Sequence, residues 1–266
     1  MFRLFWLLKW KSLKAELQYP VNFLSGLFGT SLIGAMDILM LWVPVTAFKA
    51  IGGWDFWQLG FMFALWKMSH GLHEFFFLPF RGKHDEFLRM GDYDSFLIRP
   101  MHPILQILAR SEFVVANMLS ELFPSVTMFL ICAPHVKVPW SMGNILFLGL
   151  LLFSGAVIEW AVYLFISTFG FWFVRTNALR SIAGTFLFRA ANYPLHIYGR
   201  VFPFIMTFVF PFAFMAYYPT HYFFQMQNPL YSVWMPYLPP LVAIVALTIA
   251  WGFWSLGVQK YQGSGT

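Results

Sequence analysis

The chain has 266 residues, of which 59% are hydrophobic, 21% aromatic and only 11% charged, and its mean hydropathy is +0.66. A soluble domain carries about 25% charged residues, so this composition excludes a globule wetted on every side. The net charge of +6 does not indicate nucleic acid, because the basic residues lie between apolar runs rather than on a polar domain.

Residues 3–18 pair Arg3, Lys9, Lys11 and Lys14 with Phe2, Phe5, Trp6, Trp10 and Leu13. This pattern predicts an amphipathic helix lying along the membrane surface. No small-residue cleavage site precedes the first long apolar run, so the segment is not read as a cleaved signal peptide. The fold class expected is an all-α integral membrane protein, one domain over 1–266. It comprises the interfacial helix (1–20) and a six-span bundle (22–258). A span needs about 20 apolar residues, and six runs qualify: approximately 22–47, 56–80, 104–133, 144–173, 198–217 and 237–258.

Residues 178–192 are expected to form a helix that does not span, bounded by Arg180 and Arg189 and ended by Tyr193-Pro194. Pro203, Pro211, Pro219, Pro229, Pro236, Pro239 and Pro240 then crowd 203–240. Two readings stand there: a broken fifth helix followed by an outer re-entrant segment at 219–235, or a kinked helix and an aromatic loop. With the N-terminus inside, thirteen basic residues face the cytoplasm: Arg3, Lys9, Lys11, Lys14, Arg81, Lys83, Arg89, Arg99, Arg175, Arg180, Arg189, Arg200 and Lys260. Lys49 and Lys137 alone face the other side, while Lys67 and Arg110 fall within spans. Both termini are therefore expected to be cytoplasmic.

The second span carries the clearest intramembrane polar feature. Lys67, His70, His73 and Glu74 fall on one helical stripe. Charge in hydrocarbon costs a few kcal/mol, so the stripe must face the bundle interior or water. The helical zinc signature sets histidines four apart with glutamate between them; here they are three apart and Glu74 lies outside the pair. The preferred reading is a structural polar stripe with no metal, neutralised from another helix. Asp37 in the first span and Glu159 in the fourth are the expected partners of Lys67. The one cysteine, Cys132, is expected to be an inert buried thiol. No phosphate-binding loop is present, since Gly82-Lys83 is followed by His84. No stretch between the spans could hold a nucleotide-binding domain.

The longest connection, 81–103, reads RGKHDEFLRMGDYDSFLIRPMHP. It predicts one or two short surface helices, with Asp92 or Asp94 as a cap. Two readings stand: a solvated connector with turn residues, or a docking site for a soluble partner, because Phe96, Leu97 and Ile98 would be exposed apolar groups unless covered.

At this loop the chain resembles the type-2 ABC exporter permeases of bacteria. The residues that carry the likeness are Gly91-x-x-Asp94-x-x-Leu97-x-Arg99-Pro100 with Pro103, then Tyr193-Pro194. Pro211-Phe212-Ala213-Phe214 with Tyr218-Pro219 follow, and Trp254-x-x-Gly257-x-x-x-Tyr261-x-x-x-Gly265 ends the series. The resemblance implies a six-span permease in the bacterial inner membrane, paired with a second permease, identical or not. It also implies two separate ATP-binding subunits, which hold the ATP and magnesium, leaving this chain without cofactor or catalysis. The coupling region would carry Asp85, Glu86, Asp92, Asp94, Arg99 and Pro100. The aromatic-rich spans suit an apolar or amphipathic cargo. The competing readings are a non-transporting scaffold docked to an ATPase, an intramembrane metalloprotein using His70, His73 and Glu74, and an ion-driven transporter. The last usually shows inverted repeats, and none is evident.

Overall fold

The computed structural model describes residues 7, 10–11, 14, 17–77, 80, 84–110, 115–173, 176–227 and 230–261. Most of the expected interfacial helix lies outside them. Leu7, Trp10, Lys11, Lys14 and Leu17 are helical and exposed, and the Lys14 ammonium sits 5.7 Å from the Trp10 ring centre.

The described residues form helices with no strand beyond a single bridge between Ile51 and Trp54. In chain order they are α1 (Pro20–Phe48), α2 (Phe56–Phe77), α3 (His84–Arg89), α4 (Asp92–Leu97), α5 (Pro103–Arg110) and α6 (Val115–Cys132). There follow α7 (Met142–Thr168), α8 (Asn177–Asn192), α9 (Val201–Phe204), α10 (Tyr217–Phe223) and α11 (Pro239–Lys260). Pro20 opens α1 and Pro239 opens α11, where a missing N–H costs nothing. Ser141 caps α7, its hydroxyl accepting from the Asn144 amide.

Among the described residues, three helical stretches are long and apolar enough to cross a membrane: Met118–His135, Met142–Phe171 and Pro239–Lys260. The second is the central pillar, 67% buried, whereas only 22% of the third is covered. The protein is thus an all-α membrane protein. α1 has ample length, about 44 Å at 1.5 Å per residue, and α2 has 22 residues but carries the polar stripe.

Contacts fix the two ends of the bundle. At one end Phe77 stacks on Trp160 with ring centres 4.3 Å apart, and Phe80 and Phe171 pack edge-on against Trp254. At the other end Trp57 stacks on His135 at 3.5 Å, and the Tyr222 hydroxyl donates to Asn144 Oδ1 at 2.7 Å.

These markers correct the reading of residues 177–223. α8 leaves the first end just after Phe171, and Phe188 packs beside Trp66 halfway along α2. It delivers His196 to the second end, where the ring bonds Gly52 O at 2.7 Å. The helix expected not to span therefore runs between the two ends.

The expected fifth span bends by 80° between Val201–Val209 and Phe212–Phe223. The first limb ends in a π-helical turn, Ile205–Val209, and Pro211 cannot continue it. The second limb returns to the second end, where Phe223 O accepts from the Lys137 amide at 3.0 Å. Both limbs start and finish at one end, so the segment is a re-entrant hairpin. Thr207 and Tyr218 hydroxyls join its limbs at 2.9 Å. Its floor reaches mid-bundle: a Cβ on Gly155 of α7 would stand 2.6 Å from Ser69 Oγ and 3.6 Å from the Met215 Cα. Glycine is required there by the close approach of Ser69 on α2, whereas the Met215 distance is an ordinary contact.

Candidate functional site

The chain carries a buried polar cluster at mid-bundle and a folded loop at the first end.

The cluster grows from the stripe on α2. Lys67, His70, His73 and Glu74 are all buried. Lys67 Nζ lies 2.6 Å from Glu121 Oε2 of α6, a residue the sequence reading passed over. A lone acid in the middle of the apolar run 115–132 was the available signal. Asp37 was one expected partner, and its side chain lies outside the described residues. Glu159 was the other, and it joins the histidines instead. His70 Nδ1 stands 2.8 Å from Glu159 Oε1, and His73 Nδ1 stands 3.6 Å from the same oxygen. Glu74 Oε1 lies 3.8 Å from His70 Nε2 and 4.0 Å from His73 Nδ1. The structure thus gathers His70, His73, Glu74 and Glu159, with Lys67–Glu121 alongside. The floor of the re-entrant hairpin touches the neighbouring turn of α7, at Gly155.

The loop at the first end is folded rather than slack. Gly91 precedes α4 with φ of 75°, which is why glycine stands there. Asp92 and Asp94 do not cap the helix as expected. They occupy its first turn, where carboxylates complement the helix dipole. Gln106 of α5, buried and unforeseen, donates to Phe96 O at 2.7 Å and Met101 O at 2.6 Å, closing the turn after α4. Ser167 of α7 donates to Phe80 O at 2.7 Å.

Tyr93 and Phe96 are fully buried and pack with Ile104, Ile107, Trp160, Leu164 and Trp254. Phe96 was expected to be exposed, and instead it anchors the loop to α7 and α11. Burial raises the Tyr93 phenol's pKa well above its ordinary value. Burial, with the Asp94 carboxylate beside it, pushes Tyr261 up to about 12. Ile98 is 84% exposed, and Met90, Leu97, Arg99 and Pro100 are exposed around it. Glu86 and Asp92 are exposed too, while the Asp85 side chain lies outside the described residues.

A third feature is an open apolar groove of about 980 Å³ between α1 and α6, lined by Leu24, Phe28, Leu119, Phe123 and Leu130 among others. Cys132, as expected, is a buried free thiol.

The all-α membrane bundle thus carries a loop whose Tyr93 and Phe96 are buried and whose tip is apolar and exposed. In comparison with protein families, residues 32–265 match the family described as ABC-2 family transporter protein. The chain belongs to that family, whose permeases are membrane subunits working with an ATP-binding subunit in ABC transporters. Comparison with curated proteins found no match, and comparison with solved structures found none.

Proposed function

We propose that this chain is the permease subunit of an ATP-driven exporter, powered by two separate ATP-binding subunits that dock on the 81–103 loop, at the exposed residues that follow α4. The observation that carries this reading is the mounting of the loop. Tyr93 and Phe96 are locked into the inner ends of α7 and α11, while Leu97, Ile98, Arg99 and Pro100 project outward. A push on the exposed tip is therefore transmitted to two helices rather than absorbed by a slack connector. Glu86, Asp92 and Asp94 add acidic edges suited to basic groups on the partner.

In this account α1, α2, α5 with α6, α7, α8 and α11 are the six crossings, and the hairpin over 201–223 enters from the outer face. Both termini are cytoplasmic, and the membrane is the bacterial inner membrane. A second permease, identical or paired, completes the pathway. Closure of the ATP-binding subunits then moves the two permeases as rigid bodies. The chain itself is not catalytic, and ATP with magnesium is held by the partner. The apolar groove between α1 and α6 supports an apolar or amphipathic cargo, a lipid-linked molecule or hydrophobic peptide.

The test is purification of the tagged chain from its native membrane, with identification of bound proteins and ATP hydrolysis after reconstitution into vesicles. The account expects a co-purifying ATP-binding protein whose hydrolysis changes when the permease is present. A chain that purifies without such a protein, and leaves the cognate ATPase's rate unchanged, overturns it.

A further inference from the structure

We propose that His70, His73 and Glu159 form a binding site for one divalent transition-metal ion of the zinc class, joining α2 to α7 beneath the re-entrant hairpin. The sequence argued against a metal because Glu74 lies outside the histidine pair. The fold changes the donor set, bringing a carboxylate from a helix 89 positions away in sequence.

Each of the three residues offers one ligand atom, all three atoms lie within 4.8 Å of one another, and all three residues are buried. Zinc bonds to imidazole nitrogen and carboxylate oxygen are about 2.0–2.2 Å long. Tetrahedral ligands are therefore about 3.3 Å apart. The observed 2.8 Å and 3.6 Å from Glu159 Oε1 to the two imidazoles bracket that edge. Closing the remaining separation asks for side-chain shifts of a fraction of an ångström to about 1 Å, within reach of χ rotation.

Glu74 has a different place from the one the sequence suggested. A histidine that binds a metal through one nitrogen presents the other N–H to a carboxylate, which fixes its tautomer. With His70 binding through Nδ1, its Nε2–H faces Glu74 Oε1 at 3.8 Å. Two histidines and one carboxylate make a three-ligand set that leaves one position for water or an exchangeable group. Glu159 is fully buried, and a divalent cation stabilises an ionised carboxylate in such surroundings. The ion would tie the central pillar α7 to α2 one turn below Gly155, where the hairpin floor rests.

The probe is cobalt(II) added to the purified full-length chain in detergent, together with elemental analysis of protein prepared without chelator. The proposal expects about one zinc-class ion per chain after zinc loading and dialysis. It also expects a visible cobalt d–d band, which added zinc abolishes. Glu159→Gln should remove the band, whereas Glu74→Gln should keep it and weaken affinity by about 10–100-fold. Well-folded wild-type protein with substoichiometric metal and no cobalt band would overturn the site. So would a band that survives in Glu159→Gln. Because the metal count and the cobalt band are both read on wild-type protein, a variant that fails to fold leaves the proposal decidable. None of these readouts depends on the ATP-binding partner, so they stand or fall apart from the exporter reading.

Discussion

Lys67→Met should destabilise the bundle, and adding Glu121→Gln to it should restore much of the loss. The Lys67 ammonium and Glu121 carboxylate lie 2.6 Å apart, with side-chain exposures of 5% and 23%. At an effective dielectric of about 20, charges at that distance attract by roughly 6 kcal/mol. Desolvation of the two ions offsets several kcal/mol of this. Removing one partner of a fully buried pair costs about 3–5 kcal/mol; Glu121's partial exposure lowers the expectation to about 2–3 kcal/mol. The double variant leaves no stranded charge, so a coupling energy of about 2 kcal/mol is expected from the cycle. The assay is reversible unfolding in mixed detergent micelles, comparing wild type, both single variants and the double. Strictly additive losses, or a Lys67→Met protein as stable as wild type, would refute the pairing.

Ile98→Asp should leave the melting temperature unchanged and weaken binding of the ATP-binding subunit at least about tenfold, a typical effect for an exposed interface anchor. Phe96→Ala, two positions earlier, should cost about 3–5 kcal/mol of stability as a core cavity does, measured by thermal unfolding. Gly155→Leu should wedge α7 against Ser69 of α2, at a cost of about 1–3 kcal/mol; Ser69→Gly in the same chain should relieve part of it, since Ser69 is the nearest obstruction. Tyr261 supplies a pH test. Its pKa is raised from 10.0 to about 12, so the neutral phenol stabilises the fold below pH 10, and that contribution is lost as pH rises from 10 through about 12. Ultraviolet difference titration against Tyr261→Phe should show the raised midpoint, and Asp94→Asn should lower it.

Much of the architecture was legible because burial in lipid writes long apolar runs. α1, α2, α7 and α11 begin and end within a few residues of their expected bounds, apart from the last turns of α7. Residues 177–223 misled for a physical reason. α8 carries Arg180 and looks too polar to run between the two ends, yet Arg180 Nη1 is held by Thr176 Oγ1 at 2.6 Å and Nη2 by Asn177 Oδ1. The apolar hairpin that follows looks like a span, because composition records burial and not direction. The π-helical turn, the bend at Pro211 and the return to Lys137 are tertiary facts. At the polar cluster the α2 stripe was evident from spacing alone, since residues three and four apart share a helix face. Its partners were not, because pairing across helices depends on relative depth and rotation. Glu159 was therefore offered, as an alternative to Asp37, as the partner of Lys67, and Glu121 went unnoticed. In the loop, the motif around Gly91 and Pro100 was visible, but the inward turn of Phe96 was not.

The central claim is that the exposed tip after α4, at Ile98, receives force from an ATP-binding subunit. The most direct measurement places a cysteine at Ile98, which is 84% exposed, in a chain whose single native thiol, Cys132, is buried. A short cross-linker is then applied in native membranes with and without ATP. The account predicts a cross-link to an ATP-binding protein whose yield changes with nucleotide. A thiol at position 98 that labels freely from water, yet joins no ATP-binding protein in either condition, would contradict it.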